Sequence, residues 1–77
     1  MSSFKVLTEA QLKFREKQYP KGTRVELISM DDPYNKILHE GSKGTVTRVD
    51  PMGDLEVDWD EGSSLKLIYG VDHFKVL

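Results

Sequence analysis

The stretch Gly44–Leu67, GTVTRVDPMGDLEVDWDEGSSLKL, decides how this chain folds. It holds three short runs of alternating apolar and polar residues, separated by two tight-turn signals. Asp50-Pro51-Met52-Gly53 sets Pro at i+1 and Gly at i+3 of a turn, and Asp60-Glu61-Gly62 supplies a second Gly where a positive φ is needed. Between the turns Leu55, Val57 and Trp59 alternate with Glu56, Asp58 and Asp60, the period of a half-buried strand. The pattern predicts a β-meander. Trp59 faces the same core as Val46, Leu65 and Phe74, while the carboxylates line a solvent face with cross-strand partners such as Arg48 or Lys66.

Working outward towards the N-terminus, Thr8-Glu9-Ala10-Gln11 fits a capping box, with Leu7 and Leu12 placed as a hydrophobic staple. A helix over about 9–18 follows, supported by the Glu9/Lys13 pair and by Lys17 near its C-terminal end. Its apolar face is thin, Ala10 and Phe14 with Leu12 to one side, and a helix of ~10 residues is marginal alone. It must therefore dock on its own barrel, on a partner or on a second copy. Pro20 ends it, and Val25 and Leu27 alternate with Arg24 and Glu26 in a first strand over Thr23–Ser29. Met30–Lys43 is a long loop with Ile37-Leu38 as its anchors. Loops of this length often carry function. Beyond the meander, Tyr69-Gly70 turns the chain, Val71-Asp72-His73 fits one 3₁₀ turn, and Phe74 and Val76 mark a last strand.

These elements predict an all-β fold, a small five-stranded SH3-like barrel with a short N-terminal α-helix. The 77 residues make one domain, 1–20 being the tail and helix and 21–77 the barrel. An OB-fold is disfavoured, since only Gly62-Ser63 stands where that fold places a helix. A chain this short buries only about 60% of the surface its unfolded form exposes. With no Cys it has neither disulfides nor thiolate metal sites. No apolar run approaches the ~20 residues of a membrane span and no signal-peptide core precedes the helix, so a soluble cytoplasmic protein is expected. The net charge of −2 is unevenly spread, residues 1–20 carrying +2 and residues 21–77 carrying −4. An acidic β domain repels phosphate.

The order of motifs YPKGTRVELISMDDPY (Tyr19–Tyr34), GSKGTVTRVD (Gly41–Asp50), VDWDEGSSL (Val57–Leu65) and YGVDHF (Tyr69–Phe74) resembles the small bacterial and phage family called domain of unknown function 4314. The resemblance runs from about residue 9 to the end. It implies a single-domain SH3-like barrel, often met in Gram-positive bacteria and their mobile elements, with no enzymatic activity and no site residues to carry over. Leu38-His39-Glu40 stands where the resemblance implies a Pro-rich step, and Glu61 where it implies Asn. Both departures add acidic charge.

Little in the chain points to catalysis or metal. His39 and His73 are far apart in sequence and neither lies near a nucleophile motif, and Gly62-Ser63-Ser64 reads as hairpin chemistry rather than a nucleophile elbow. Asp58-x-Asp60-x-Gly62 resembles a fragment of a Ca²⁺ loop, but that loop needs Glu where this chain has Ile68. No metal and no cofactor is expected, beyond weak adventitious cation binding by Asp31, Asp32 or Asp60. The expected function is a non-enzymatic interaction module for an unidentified protein or peptide, as a monomer or weak homo-oligomer. Its binding residues are Tyr34 and Tyr69 as two walls of a groove, with Asp31, Asp32, Glu40 and Asp72 as a negative rim that favours a basic peptide. Alternatively the chain's own helix fills that groove, with Phe14 as the plug. The alternative function is an accessory nucleic-acid-binding domain that presents Lys5, Lys13, Arg15, Lys17 and Lys21 to phosphate.

Overall fold

The computed structural model describes residues 7–77, which form α1 (Glu9–Gln18), β1 (Arg24–Ser29), β2 (Lys43–Val49), β3 (Leu55–Trp59) and β4 (His73–Val76). The helix begins where the capping box places it. Thr8 Oγ1 accepts from the Gln11 N–H at 3.2 Å, and Gln11 Oε1 accepts from the Thr8 N–H at 2.8 Å. At the other end the Tyr19 N–H closes the last turn on the Arg15 carbonyl at 2.8 Å before Pro20 forces the chain outward. Among the described residues, no helix is long and apolar enough to cross a membrane.

The four strands make one antiparallel sheet in the order β3-β2-β1-β4. Alternation along β1 and β3 sends Val25 and Leu27, and Leu55, Val57 and Trp59, into a single core; in β2 a register shift between Val46 and Arg48 returns Val49 to the face of Val46, and Leu38 and Leu67 complete the core from the connecting segments. Trp59 is 2% exposed, as its phase with Leu55 and Val57 requires. Leu12 and Tyr19 from the helix side, with Leu65 and Phe74, pack at the margin of this core.

Gly44 sits directly opposite Trp59 in the β2–β3 register. A Cβ there would lie 2.6 Å from Val57 Cγ1 and 2.9 Å from Trp59 Cε3. Glycine inside a strand marks a close approach of this kind. The indole lies over the bare backbone of its neighbour.

The expected five-stranded barrel is not what forms. The sheet is open and has four strands, and the stretch expected as another strand before Tyr69 touches β3 through a single bridge, Leu55↔Leu67. The reason lies in Leu65. Its carbonyl accepts from the Trp59 indole Nε1–H at 2.8 Å, and its N–H donates to Ser63 Oγ at 3.2 Å. Both ladder groups of the residue that would pair with Val57 are thus committed to side chains. The main-chain bonds Trp59 N–H to Ser63 carbonyl and Leu55–Leu67 survive on either side of this gap.

Replacing Trp59 with Ala should destabilise the fold by ~3–5 kcal/mol. Gly44→Ala, which removes nothing, should still cost ~1–3 kcal/mol through overpacking against Val57 and Trp59. Urea melts read both, and an unchanged midpoint for Gly44→Ala would mean that the indole does not lie where described.

Candidate functional site

The β2–β3 connection is built around one buried carboxylate. Asp50 Oδ1 accepts from the main-chain N–H groups of Met52 at 2.9 Å and Asp54 at 3.0 Å, and Oδ2 accepts from Lys66 Nζ at 2.8 Å. Burial pushes the Asp50 carboxyl up, but Lys66 and the two N–H donors outweigh it and hold the group below its ordinary value. Asp54, also buried, accepts from the Tyr69 N–H at 2.8 Å. This loop therefore fixes both the segment after β3 and the position of Tyr69.

The same loop receives the helix. Arg15 donates from Nε at 3.2 Å and from Nη2 at 2.8 Å to the Gly53 carbonyl. Its guanidinium lies between two rings, with Cζ 4.9 Å from the Tyr19 centroid and 4.5 Å from that of Tyr69. Gly53 itself has φ +88°, and a Cβ on it would fall 2.6 Å from Leu7 Cδ1 and 3.3 Å from Tyr69 Cδ2. Both its left-handed backbone and the close approach of these neighbours call for glycine. The helix docks on its own sheet, and Arg15 is the clamp.

Docking leaves a groove of about 320 Å³ between α1 and Tyr69, lined by Leu7, Ala10, Gln11, Phe14, Arg15, Gln18 and Tyr69. Phe14 is 67% exposed and Tyr69 50% exposed. Phe14 therefore stands at the rim of the groove and plugs nothing. Lys17 follows on the same side of the helix, three residues beyond Phe14.

Tyr69 lines the groove, whereas Tyr34, 82% exposed on the long loop, is not among its lining residues. Asp32 shapes a local turn by accepting from the Tyr34 N–H at 2.8 Å, and Asp72 accepts from the Ile68 N–H at 2.7 Å. Asp31 and Glu40 are exposed. Of the proposed phosphate-facing cations, Arg15 is committed to the Gly53 carbonyl and Lys13 lies 3.7 Å from Glu9. Lys17 and Lys21 are exposed, and Lys5 lies outside the described residues. On the strand face Glu56 meets Arg48 at 2.9 Å as expected, but Asp60 takes Arg24 in a two-point pair at 2.7 and 2.6 Å. Lys66 turns inward to Asp50. Among the described residues, no three His, Asp or Glu side chains gather in a way that could hold a metal ion.

A cluster joining distant residues ties down the long loop. The Ser42 hydroxyl, itself buried, donates to Glu61 Oε1 and accepts from the His39 N–H at 3.0 Å. His39 Nε2 lies 3.1 Å from Glu61 Oε2 and Nδ1 lies 2.8 Å from the Glu40 carbonyl. With an acceptor at each ring nitrogen, first the Glu40 carbonyl and then Glu61, the imidazolium is favoured and the His39 pKa rises. Ser42, and then His39, hold the Glu61 carboxyl below its ordinary value. The serine faces the carboxylate rather than the imidazole, so this is a structural clasp and not an activated nucleophile.

A short capped helix clamped by arginine onto an open four-stranded antiparallel sheet, with a half-apolar groove along the seam, defines a small β-rich domain. Residues 8–77 match the family described as Domain of unknown function (DUF4314), and the chain belongs to that family. No curated protein and no solved structure matches it.

Arg15→Lys keeps the charge but loses the planar two-donor contact and the stacking, so it should destabilise by ~1–3 kcal/mol. Amide exchange should show the loss in α1 before it reaches β1 and β2. Uniform loss of protection would rule out a clamp specific to the helix.

The His39 clasp predicts a pH dependence. Because folding raises the pKa of His39 above 6.5, its contribution is whole below that value and disappears as pH climbs through the higher folded one. As pH rises above 6.5 the Leu38–Ser42 resonances should therefore move with the His39 titration. His39→Gln should flatten that response, and an unaltered response in this variant would place its origin elsewhere.

Proposed function

We propose that this domain is a non-enzymatic interaction module that takes an apolar side chain of a partner protein into the groove between α1 and Tyr69. One observation carries this reading: Phe14, a large aromatic side chain, is mostly exposed beside a second half-exposed ring, over a groove that no side chain among the described residues fills. Such paired aromatic anchors are typical of the energetic centre of an interface. The groove belongs to a rigid seam, because Arg15 and Asp54 hold its two walls at fixed points. The finer likeness to an SH3-like barrel belongs to the same reading, with Ser63–Leu67 as an incomplete fifth member beside β3.

The charge around this groove differs from that of a groove walled by Tyr34 and Tyr69. Asp31, Asp32, Glu40 and Asp72 contribute nothing to its lining, whereas Arg15 forms part of it and Lys17 flanks it. A bulky apolar residue with carboxylates beside it fits this setting better than a basic peptide does. For nucleic acid, the commitment of Arg15 to Gly53 removes the cation nearest the centre of the helix from the phosphate-facing set.

Phe14→Ser should leave stability within about 0.5 kcal/mol, because the ring is exposed. Affinity capture with wild-type and Phe14→Ser baits from the source cell, read by mass spectrometry, should then recover a partner with the first and lose it with the second. Equal recovery by both baits would exclude the groove. A steep fall in nucleic-acid affinity with rising salt, unaffected by Phe14→Ser, would favour the phosphate-binding alternative.

A further inference from the structure

β4 ends the sheet on the side away from β3, and among the described residues nothing pairs with its outer edge. The register shows which groups are left over. Val25 faces Val76, Glu26 faces Lys75 and Leu27 faces Phe74, while the Leu77 N–H donates to the Arg24 carbonyl at 3.0 Å. Hydrogen-bonded and non-hydrogen-bonded pairs alternate along an antiparallel ladder. Glu26 and Lys75 therefore form the next bonded pair, and the N–H and C=O of Phe74 and Val76 point outward. Leu27 agrees with this phase, since its N–H and C=O are directed the other way, to Ser42 and Gly41. At this edge the Val76 side chain is 52% exposed.

A row of charge crosses the sheet to the same place. Glu26 on β1 lies 3.7 Å from Lys43 on β2 and 3.6 Å from Lys75 on β4. One carboxylate thus serves two ammonium groups, and the row ends on a positive charge at the open edge. A strand laid antiparallel against β4 sets the residue opposite Lys75 in a non-hydrogen-bonded pair, where side chains come closest. A carboxylate at that position continues the alternation of sign. Its two neighbours fall on the core face beside Phe74 and Val76, where apolar side chains fit.

We propose that the β4 edge accepts one further strand from a partner protein, an extended segment in which an acidic residue opposite Lys75 is flanked by two apolar residues. A second copy of this chain is the wrong occupant. If two copies of β4 paired so that Phe74 and Val76 exchanged bonds, Lys75 would face Lys75, and like charges directly opposite destabilise a sheet. The surface is separate from the groove at Phe14 and Tyr69 and stands whether or not that groove binds.

The test titrates the labelled full chain with two capped peptides, Thr-Val-Glu-Val-Thr and Thr-Val-Lys-Val-Thr, followed by nuclear magnetic resonance. The glutamate peptide should bind about three- to tenfold more tightly than the lysine peptide, shift the Phe74, Lys75 and Val76 amides, and slow exchange at Phe74 and Val76. Lys75→Gln should abolish the preference. Val76→Pro, which removes an outward N–H and no bond to β1, should abolish binding of both peptides. Circular dichroism checks that each variant is folded, and Lys75→Gln alone decides if Val76→Pro is not. Equal affinity for the two peptides, shifts confined to Phe14 and Tyr69, no shift at up to ~10 mM peptide, or a β4-to-β4 dimer in sedimentation would each overturn the proposal.

Discussion

The carboxylate of Asp50 is the constraint on which the arrangement of this small domain depends. One side chain closes its own hairpin through the N–H groups of Met52 and Asp54 and draws in Lys66 from the segment beyond β3. A buried carboxylate without partners would cost several kcal/mol. With two main-chain donors and an ammonium group it becomes instead a rigid joint. Asp54 then takes the Tyr69 N–H, and the Gly53 carbonyl between them is left facing the helix. The segment beyond β3, Tyr69 and the helix are thus all located from five residues of loop.

Arg15 uses what that joint presents. A helix of ten residues with no buried side chain has little reason to hold to a sheet by apolar burial alone. The guanidinium supplies what the thin apolar face lacks, since it is planar enough to lie between Tyr19 and Tyr69 and forked enough to meet one carbonyl with two donors. Leu12 and Tyr19 add contact at the margin of the core. The groove beside Phe14 is a by-product of this economy: a helix held by one polar clamp leaves its outer apolar residues uncovered.

Much of this was legible in the sequence, and what was not has a physical cause. The capping box Thr8–Gln11, the stop at Pro20, the alternation around Trp59 and the turn glycines report on backbone geometry within a few residues, and the helix and the four strands that formed lie at or within a residue of their expected bounds. The 3₁₀ turn expected at Val71-Asp72-His73 did not form: Val71 and Asp72 both donate to the Ile68 carbonyl in a plain turn, and His73 already opens β4. The missing strand depended on Trp59 reaching Leu65 with its indole N–H, a side-chain event that alternation does not encode. Arg15 read as one more cation on a basic helix because its partners, Gly53 and Tyr69, lie far along the chain. The clasp of His39, Ser42 and Glu61 likewise joins residues 19 and 22 positions apart. Tyr34 and Tyr69 looked equivalent as loop aromatics, and a carboxylate takes the N–H of each, but Asp32 belongs to Tyr34's own loop whereas Asp54 ties Tyr69 to the distant β2–β3 connection.

The span of the Arg15 contact bears on the order in which the chain assembles. The helix is the first element of the sequence, but the carbonyl that receives its clamp lies 38 residues later. The second ring of the sandwich is later still. During synthesis the capped helix therefore emerges well before anything exists for it to rest on, and it gains its fixed place only after the β2–β3 hairpin has closed and Tyr69 has left the ribosome. Nucleation falls to the local hairpin, whose turn is organised by Asp50 from within, and the helix arrives last. A domain whose N-terminal element docks last keeps that element, with Tyr19 already beside Arg15, available before docking to any other surface that offers a carbonyl beside an aromatic ring.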